Sequence, residues 1–293
     1  MTSPLATQQM TLSALAQMGK ATDFDIPATW LLWPLASYLT WAVFAIVWWA
    51  GGIGLGRFSL GALGTIYLDL SGLLGLIGIF ALATSLGSSF VLYAIMNRIN
   101  SHSARTQLLL SRTLDALESR IGSQPSPASI TLNSAEGSMQ ILTYAERERS
   151  SFLWALLSMI PFIGWIFVIA EQWLVSRDLA THQRLESAVL DDVGRTMKTV
   201  GLEGFQWPSV QIHSRNSLAI VAIIICFLES FSTIVLDLRG ALVLVYLTLG
   251  IFSLIWIDLS TRDPRHHFQF HSLVENSIVR SLGDPTGLDG RPV

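Results

Sequence analysis

Charge is what this chain has least of. Only 13% of its 293 residues are charged, about half the share of an average soluble domain. Eighteen Lys and Arg against 21 Asp and Glu leave a net charge of −3, so no basic field points to nucleic acid, and none is expected as a partner. The single cysteine, Cys226, excludes an intrachain disulfide framework, a multi-cysteine zinc site and a cysteine-held iron–sulfur cluster. Lys20 and Lys198 are the only lysines, and no glycine-rich loop ends in Lys-Ser or Lys-Thr, which excludes a P-loop nucleotide motor. There is no Gly-x-Ser-x-Gly elbow and no His-Glu-x-x-His helix, so the common serine-hydrolase and zinc-protease readings fall away. All six histidines (His102, His182, His213, His266, His267 and His271) lie outside the long apolar runs. A membrane cytochrome of the b type needs them inside, so haem is excluded. The aromatic residues form no cofactor box, and no cofactor is expected.

What the chain does have is length of uncharged sequence. No charge occurs over residues 26–56, 70–97, 150–170 or 240–257. Some 20 apolar residues span the hydrocarbon layer as a helix, so these runs argue against a soluble globule. The expected fold is all-α and polytopic, with about four transmembrane helices, one re-entrant or interfacial hairpin and amphipathic cytosolic helices. Seven segments follow: a polar N-terminal segment (1–28), a first membrane block (29–97), a cytosolic helix and linker (98–150), a second membrane block (151–176), a cytosolic helix (177–216), a third block read as a helical hairpin (217–261), and a final cytosolic helix and tail (262–293). Residues 1–25 are too polar for a secretory signal. In the first block Trp30, Trp33, Trp48 and Trp49 flank one span, where aromatic belts sit. Gly72, Gly75 and Gly78 open the next span and favour close helix contact or a break.

Each block is followed by a similar polar signature: Asn97-Arg98-Ile99-Asn100-Ser101-His102, then Arg177-Asp178-Leu179-Ala180-Thr181-His182, then Arg262-Asp263-Pro264-Arg265-His266-His267. Seven and fifteen residues beyond each histidine the chain is apolar (Leu109 and Leu117, Val189 and Met197, Val274 and Leu282), with Thr113, Val193 and Ile278 between. Four-residue spacing draws one stripe along a helix. The pattern reads as a diverged threefold repeat of one unit, a membrane segment continued by an amphipathic helix.

Charge bias sets the expected topology. If the second block, interrupted by Pro161 and Gly164, dips in and returns, 16 of the 18 basic residues share one side and only Arg57 and Arg239 face the other. Cytoplasmic loops carry the Lys and Arg excess, so the block reads as re-entrant, with polar helices and both termini cytoplasmic in a plasma-membrane protein. Such a hairpin requires burial among other helices to satisfy its backbone.

Three sets of residues can carry chemistry. The first is a juxtamembrane network of Arg98, His102, Arg177, Asp178, His182, Arg262, Asp263 and His267, in which Asp caps a helix or pairs with the adjacent Arg177 or Arg262. The second overlaps it. Asp178, His182 and Glu186 share a helical face, as do Asp263, His267 and His271, and two histidines four residues apart beside an acid are a metal-ligand spacing, with Asp263, His267 and His271 the candidate ligands. The third is the set of acids in apolar runs, Glu229, Asp69 and Glu171, which intramembrane energetics mark as proton or cation handlers or as protonated helix contacts. No catalytic residue is assigned. The expected function is a non-catalytic accessory or scaffolding subunit of a membrane complex, whose partners are the bilayer and other membrane subunits or a second copy. The alternatives are a channel or transporter using Glu229 and a metal-dependent membrane enzyme.

Overall fold

A computed structural model describes residues 4–23, 25–52, 57–59, 65–67, 70–122, 124–146, 148–161, 163–202 and 216–283. These are almost entirely helical: α1 (Pro4–Thr22), a 3-10 turn (Ala28–Leu31), α2 (Leu32–Gly52), α3 (Leu70–Ile121), α4 (Pro127–Ala145), α5 (Ser151–Ser158), α6 (Gly164–Thr199) and α7 (Asn216–Gly283). The exception to an all-α chain is one antiparallel ladder between α2 and α3, in which β1 (Arg57–Ser59) pairs with β2 (Thr65–Tyr67), Phe58 opposite Ile66.

Three helical stretches are long and apolar enough to cross a membrane: Ala28–Trp49, Gly72–Ile121 and Val243–Leu282. A fourth, separate span over 218–236 was expected as half of a hairpin. Instead α7 runs unbroken through that region. The physical reason lies in the breakers available. No proline falls between Asn216 and Asp263, and one interior glycine such as Gly240 costs a helix only about 1 kcal/mol relative to alanine.

Long helices join what the sequence divides. Helices α3, α6 and α7 each continue from an apolar segment into an amphipathic one without a turn. Along the apolar part of α3, Leu76, Ile79, Phe80, Leu86 and Phe90 are exposed, a surface that only an apolar surrounding favours. In the polar half the stripe turns inward. Leu109 and Leu117 of α3, Val189, Val193 and Met197 of α6, and Val274, Ile278 and Leu282 of α7 pack into one core with Leu12 and Leu15 of α1 and Leu132 and Leu142 of α4. Thr113, the polar member of the series, is also buried, its hydroxyl donating to the Leu109 carbonyl at 2.9 Å.

The second apolar block is a helix–turn–helix. Ser150 caps α5 by accepting from the Leu153 N–H, and α5 ends after eight residues, just before Pro161. Gly164 opens α6 where a Cβ would sit 2.2 Å from the Ser158 carbonyl oxygen, so only glycine fits this reversal. Asn100 of α3 donates to Ser151 Oγ at one end of α5, and Ser89 of α3 meets Ser158 Oγ at the other, 2.9 Å away. Those α3 positions lie about 16 Å apart along the axis. Helix α6 then climbs back until His182 lies beside His102, ring centroids 5.4 Å apart. The block therefore enters and leaves through the same end of the bundle.

Helices α2 and α3 are joined by side-chain hydrogen bonds: Ser37 with Ser85 at 3.0 Å, Thr40 with Thr84 at 2.9 Å, and the Trp41 indole donating to Ser85 at 2.9 Å. At Gly87 a Cβ would meet the Trp33 ring at 2.2 Å, whereas at Gly75 it would meet no described atom within 4 Å.

Candidate metal centre

Helical spacing builds the site from three stripes. His102, Arg105, Thr106 and Leu109 follow one face of α3; His182, Glu186 and Val189 one face of α6; His267, His271, Val274, Glu275 and Ile278 one face of α7. The apolar members lie in the core just described, and the polar members are held one level above it, all buried. The histidines of the three polar signatures converge there. The His102 ring is 5.2 Å from His267 and 5.4 Å from His182, and the last two are 5.6 Å apart. Glu186 fills the middle. Its Oε2 is 3.2 Å from His267 Nε2 and 3.6 Å from His182 Nε2, and its Oε1 meets His271 Nε2.

Three of the four rings have a carboxylate at the outer nitrogen. His102 Nδ1 lies 2.8 Å from Asp23, His271 Nδ1 2.5 Å from Glu275, and His182 Nδ1 contacts Glu146. A carboxylate at Nδ1 fixes the ring proton there and turns the Nε2 lone pair inward, the outer-shell arrangement that orients metal-binding histidines. Arg105 ties two of these acids together, donating to Asp23 at 2.6 Å and to Glu275 at 2.5 Å. One ligand atom from each of His102, His182, Glu186 and His267 falls within 4.8 Å of the others. Three imidazoles and a carboxylate suit zinc, iron, copper or nickel rather than magnesium or calcium.

The electrostatics divide the rings. Burial, reinforced by the neighbouring histidines, holds His102 well below its ordinary range. Burial also lowers His267, against the pull of Glu186. For His271 the carboxylates of Glu186 and Glu275 outweigh burial and lift it to about 10. His182 is likewise raised, because Glu186 and Glu146 overcome its burial. Glu186 sits well below the usual carboxylate range despite complete burial, because three histidines surround it. The centre thus holds two neutral rings ready to donate lone pairs and a carboxylate ready to accept a cation.

Two cavities flank the cluster. One of about 600 Å³ is walled by His102, His182, Glu146, Asn100, Arg149 and Asp178. The other, of about 700 Å³, lies on the α1 side and is walled by Asp23, Arg98, Arg265, Phe268 and Glu275.

The sequence-derived network is only partly assembled. His102, His182 and His267 meet, but their flanking charges turn elsewhere. Asp178 does not pair with Arg177; it takes two hydrogen bonds from Arg149. Arg177 lies over the Trp173 ring at 5.5 Å, Arg262 pairs with Asp258 at 2.9 Å, and Arg98 lies over Phe268 at 4.6 Å. The acid beside His267 and His271 is Glu186 of a different helix; the Asp263 side chain lies outside the described residues, as do Asp69 and the Glu229 side chain. Glu171 is fully buried in α6. Sequence reasoning missed Asp23, Glu146, Arg105, Thr106 and Glu275. Glu275 carried a signal, since it extends the four-residue series His267, His271. Asp23 and Glu146 come from segments between helices, where no periodicity marks them.

The fold and the site define a helical protein with three candidate membrane spans and a buried histidine–carboxylate centre. No family model, curated protein or solved structure matches the chain.

Proposed function

We propose that the chain is a metal-dependent membrane protein, holding one divalent transition-metal ion through His102, His182, His267 and Glu186 where three long helices leave the bilayer. The observation that carries this reading is the convergence of three histidines, from sequence positions 80 and 85 residues apart, on one buried carboxylate. Three imidazoles and a carboxylate brought together form a donor set that a transition-metal cation would satisfy. On this reading α3, α6 and α7 are three copies of one unit whose matching histidines act together, and the α5–α6 pair is a re-entrant hairpin with the polar halves and the N-terminal helix on the cytoplasmic side. The shared entry and exit of α5 and α6 supports that layout. The 600 Å³ cavity beside His102 and His182 is then the approach for a reactant, which makes a metal-dependent membrane enzyme the favoured class.

Elemental analysis of the protein purified in mild detergent tests this. About one equivalent of zinc, iron, copper or nickel per chain is expected, lost in His182→Ala and His267→Ala. Less than a tenth of an equivalent in wild type, after growth with each metal supplied, would overturn it.

A second reading, the accessory or scaffolding subunit, has its own support. Ile130, Ile141 and Tyr144 lie exposed on α4, with Tyr144 85% exposed, at the polar end of the bundle where lipid does not cover them. Copurification in mild detergent of a partner protein whose binding is lost in Tyr144→Asp favours this role, and a monodisperse protein without partners opposes it.

A further inference from the structure

The α6 helix buries a second polar pair well below the histidines. Val168, Glu171, Gln172 and Val175 share its inward face. The two valines pack with Val91, Leu92 and Ile95 of α3 and Ile257 of α7. Glu171 and Gln172, between them, are fully buried, and among the described residues neither oxygen of Glu171 and neither polar atom of Gln172 has a hydrogen-bond partner. The α7 stripe of Ser253, Trp256, Ile257 and Ser260 adds a buried indole N–H that also has no hydrogen-bond partner among the described residues. From α2 comes the Tyr38 phenol, within electrostatic reach of Glu171 and beside Ser253. Among the described residues, the titratable group facing Glu171 is thus Tyr38 from α2, with Ser253 of α7 beside it and apolar side chains of α3 around them.

Glu171 also stands between two spaces. One turn deeper, Val168 lines a cavity of about 30 Å³, large enough for one water, whose other walls include Ser37, Tyr38, Ser85, Ser88 and Ser158. One turn toward the polar end, Val175 lines the 600 Å³ cavity that reaches Arg149, Asp178 and His182. An ionised carboxylate with no partner in an apolar interior is too costly to persist.

We propose that Glu171 is an intramembrane proton-binding site that exchanges with the juxtamembrane cavity. The resting group is the neutral carboxylic acid. On deprotonation its O–H bond breaks, the proton passes to a water in the cavity, and the carboxylate waits for the reverse transfer. The site takes a proton rather than a metal ion, and it is independent of the histidine centre.

The test uses the full chain in lipid nanodiscs. Dicyclohexylcarbodiimide, a membrane-soluble reagent for protonated carboxyl groups, is applied at neutral pH and its adducts are mapped by peptide mass spectrometry. Glu171 is expected to be modified, at least tenfold more than by a water-soluble carbodiimide, with labelling that falls as pH rises. Failure of Glu171 to react overturns the proposal, as does equal reaction with both reagents. Protection by sodium or potassium at fixed pH overturns it in favour of a monovalent-cation site. Infrared difference spectra supply the second readout: the carbonyl band of a protonated acid should be present in wild type and absent in Glu171→Gln. Because the labelling is read on the wild-type chain, a misfolded variant does not remove the test.

Discussion

Two polar clusters are buried in this bundle, and they are stabilised in opposite ways. At the polar end, four histidines, four carboxylates and Arg105 answer one another, with Arg105 and His271 each 2.5 Å from Glu275. About 16 Å away along α6, by the rise of about 1.5 Å per residue from Glu171 to His182, Glu171 and Gln172 have no hydrogen-bond partner among the described residues. The first cluster can remain charged because each charge is paired. The second can persist only by being neutral. A buried acid therefore says little by itself; the groups placed around it decide whether it gathers a cation or keeps a proton.

That contrast can be broken, beginning with the largest effect. Removing an inner ligand should empty the centre: His267→Ala is expected to reduce bound metal from about one equivalent to near zero by elemental analysis. Replacing an outer acid should do less. Glu146→Gln and Asp23→Asn leave the ligands in place but free their ring orientation, so metal affinity measured by chelator competition should drop about 10–100-fold. If either variant bound as tightly as wild type, the outer acids would be a structural network and nothing more.

The hydrophobic core beneath the centre gives the next prediction. Leu110 is fully buried there, and Leu110→Ala should lower stability by about 2–5 kcal/mol in detergent unfolding. Metal affinity per folded molecule should be unchanged, which separates core from centre.

The pH dependence has a definite sign. In chelated, metal-free protein, His271 is raised from its ordinary 6.5 to about 10. Its contribution to stability is complete below about pH 6.5 and is lost as pH climbs toward about 10. The thermal midpoint of the metal-free protein should thus fall across that window, and the fall should flatten in His271→Gln. Metal retention runs the other way. Protons compete for His182, so the ion should be released as pH drops through the histidine range, about 7 to 5. The smallest effect belongs to the exposed Arg112–Asp115 pair, 3.4 Å apart with both side chains about half exposed. Arg112→Ala should change stability by no more than about 0.5 kcal/mol.

Much of this was legible in advance, for local reasons. The uncharged runs marked the apolar helices because a charge in such a segment is costly wherever it lies. The stripes through Leu109, Val189 and Val274 marked the polar-half core because helical period alone puts residues four apart on one face. The break at Pro161 followed from a missing N–H and a clashing ring. Two expectations failed where local signals were weak. The block expected as a helical hairpin over 217–261 lies in one helix, α7, and Asp178 chose Arg149 over its neighbour Arg177, since residues adjacent in a helix do not face each other.

By itself, then, the sequence determined which segments are apolar, which faces of the helices turn inward and where His102, His182 and His267 sit along them, because composition and period are properties of a single helix. Tertiary structure alone decided that those three rings gather around one carboxylate, that Asp23 and Glu146 reach them from between helices, and that Glu171 has no hydrogen-bond partner among the described residues. Those facts depend on how helices far apart in the chain are packed side by side, and no local rule of spacing carries that information.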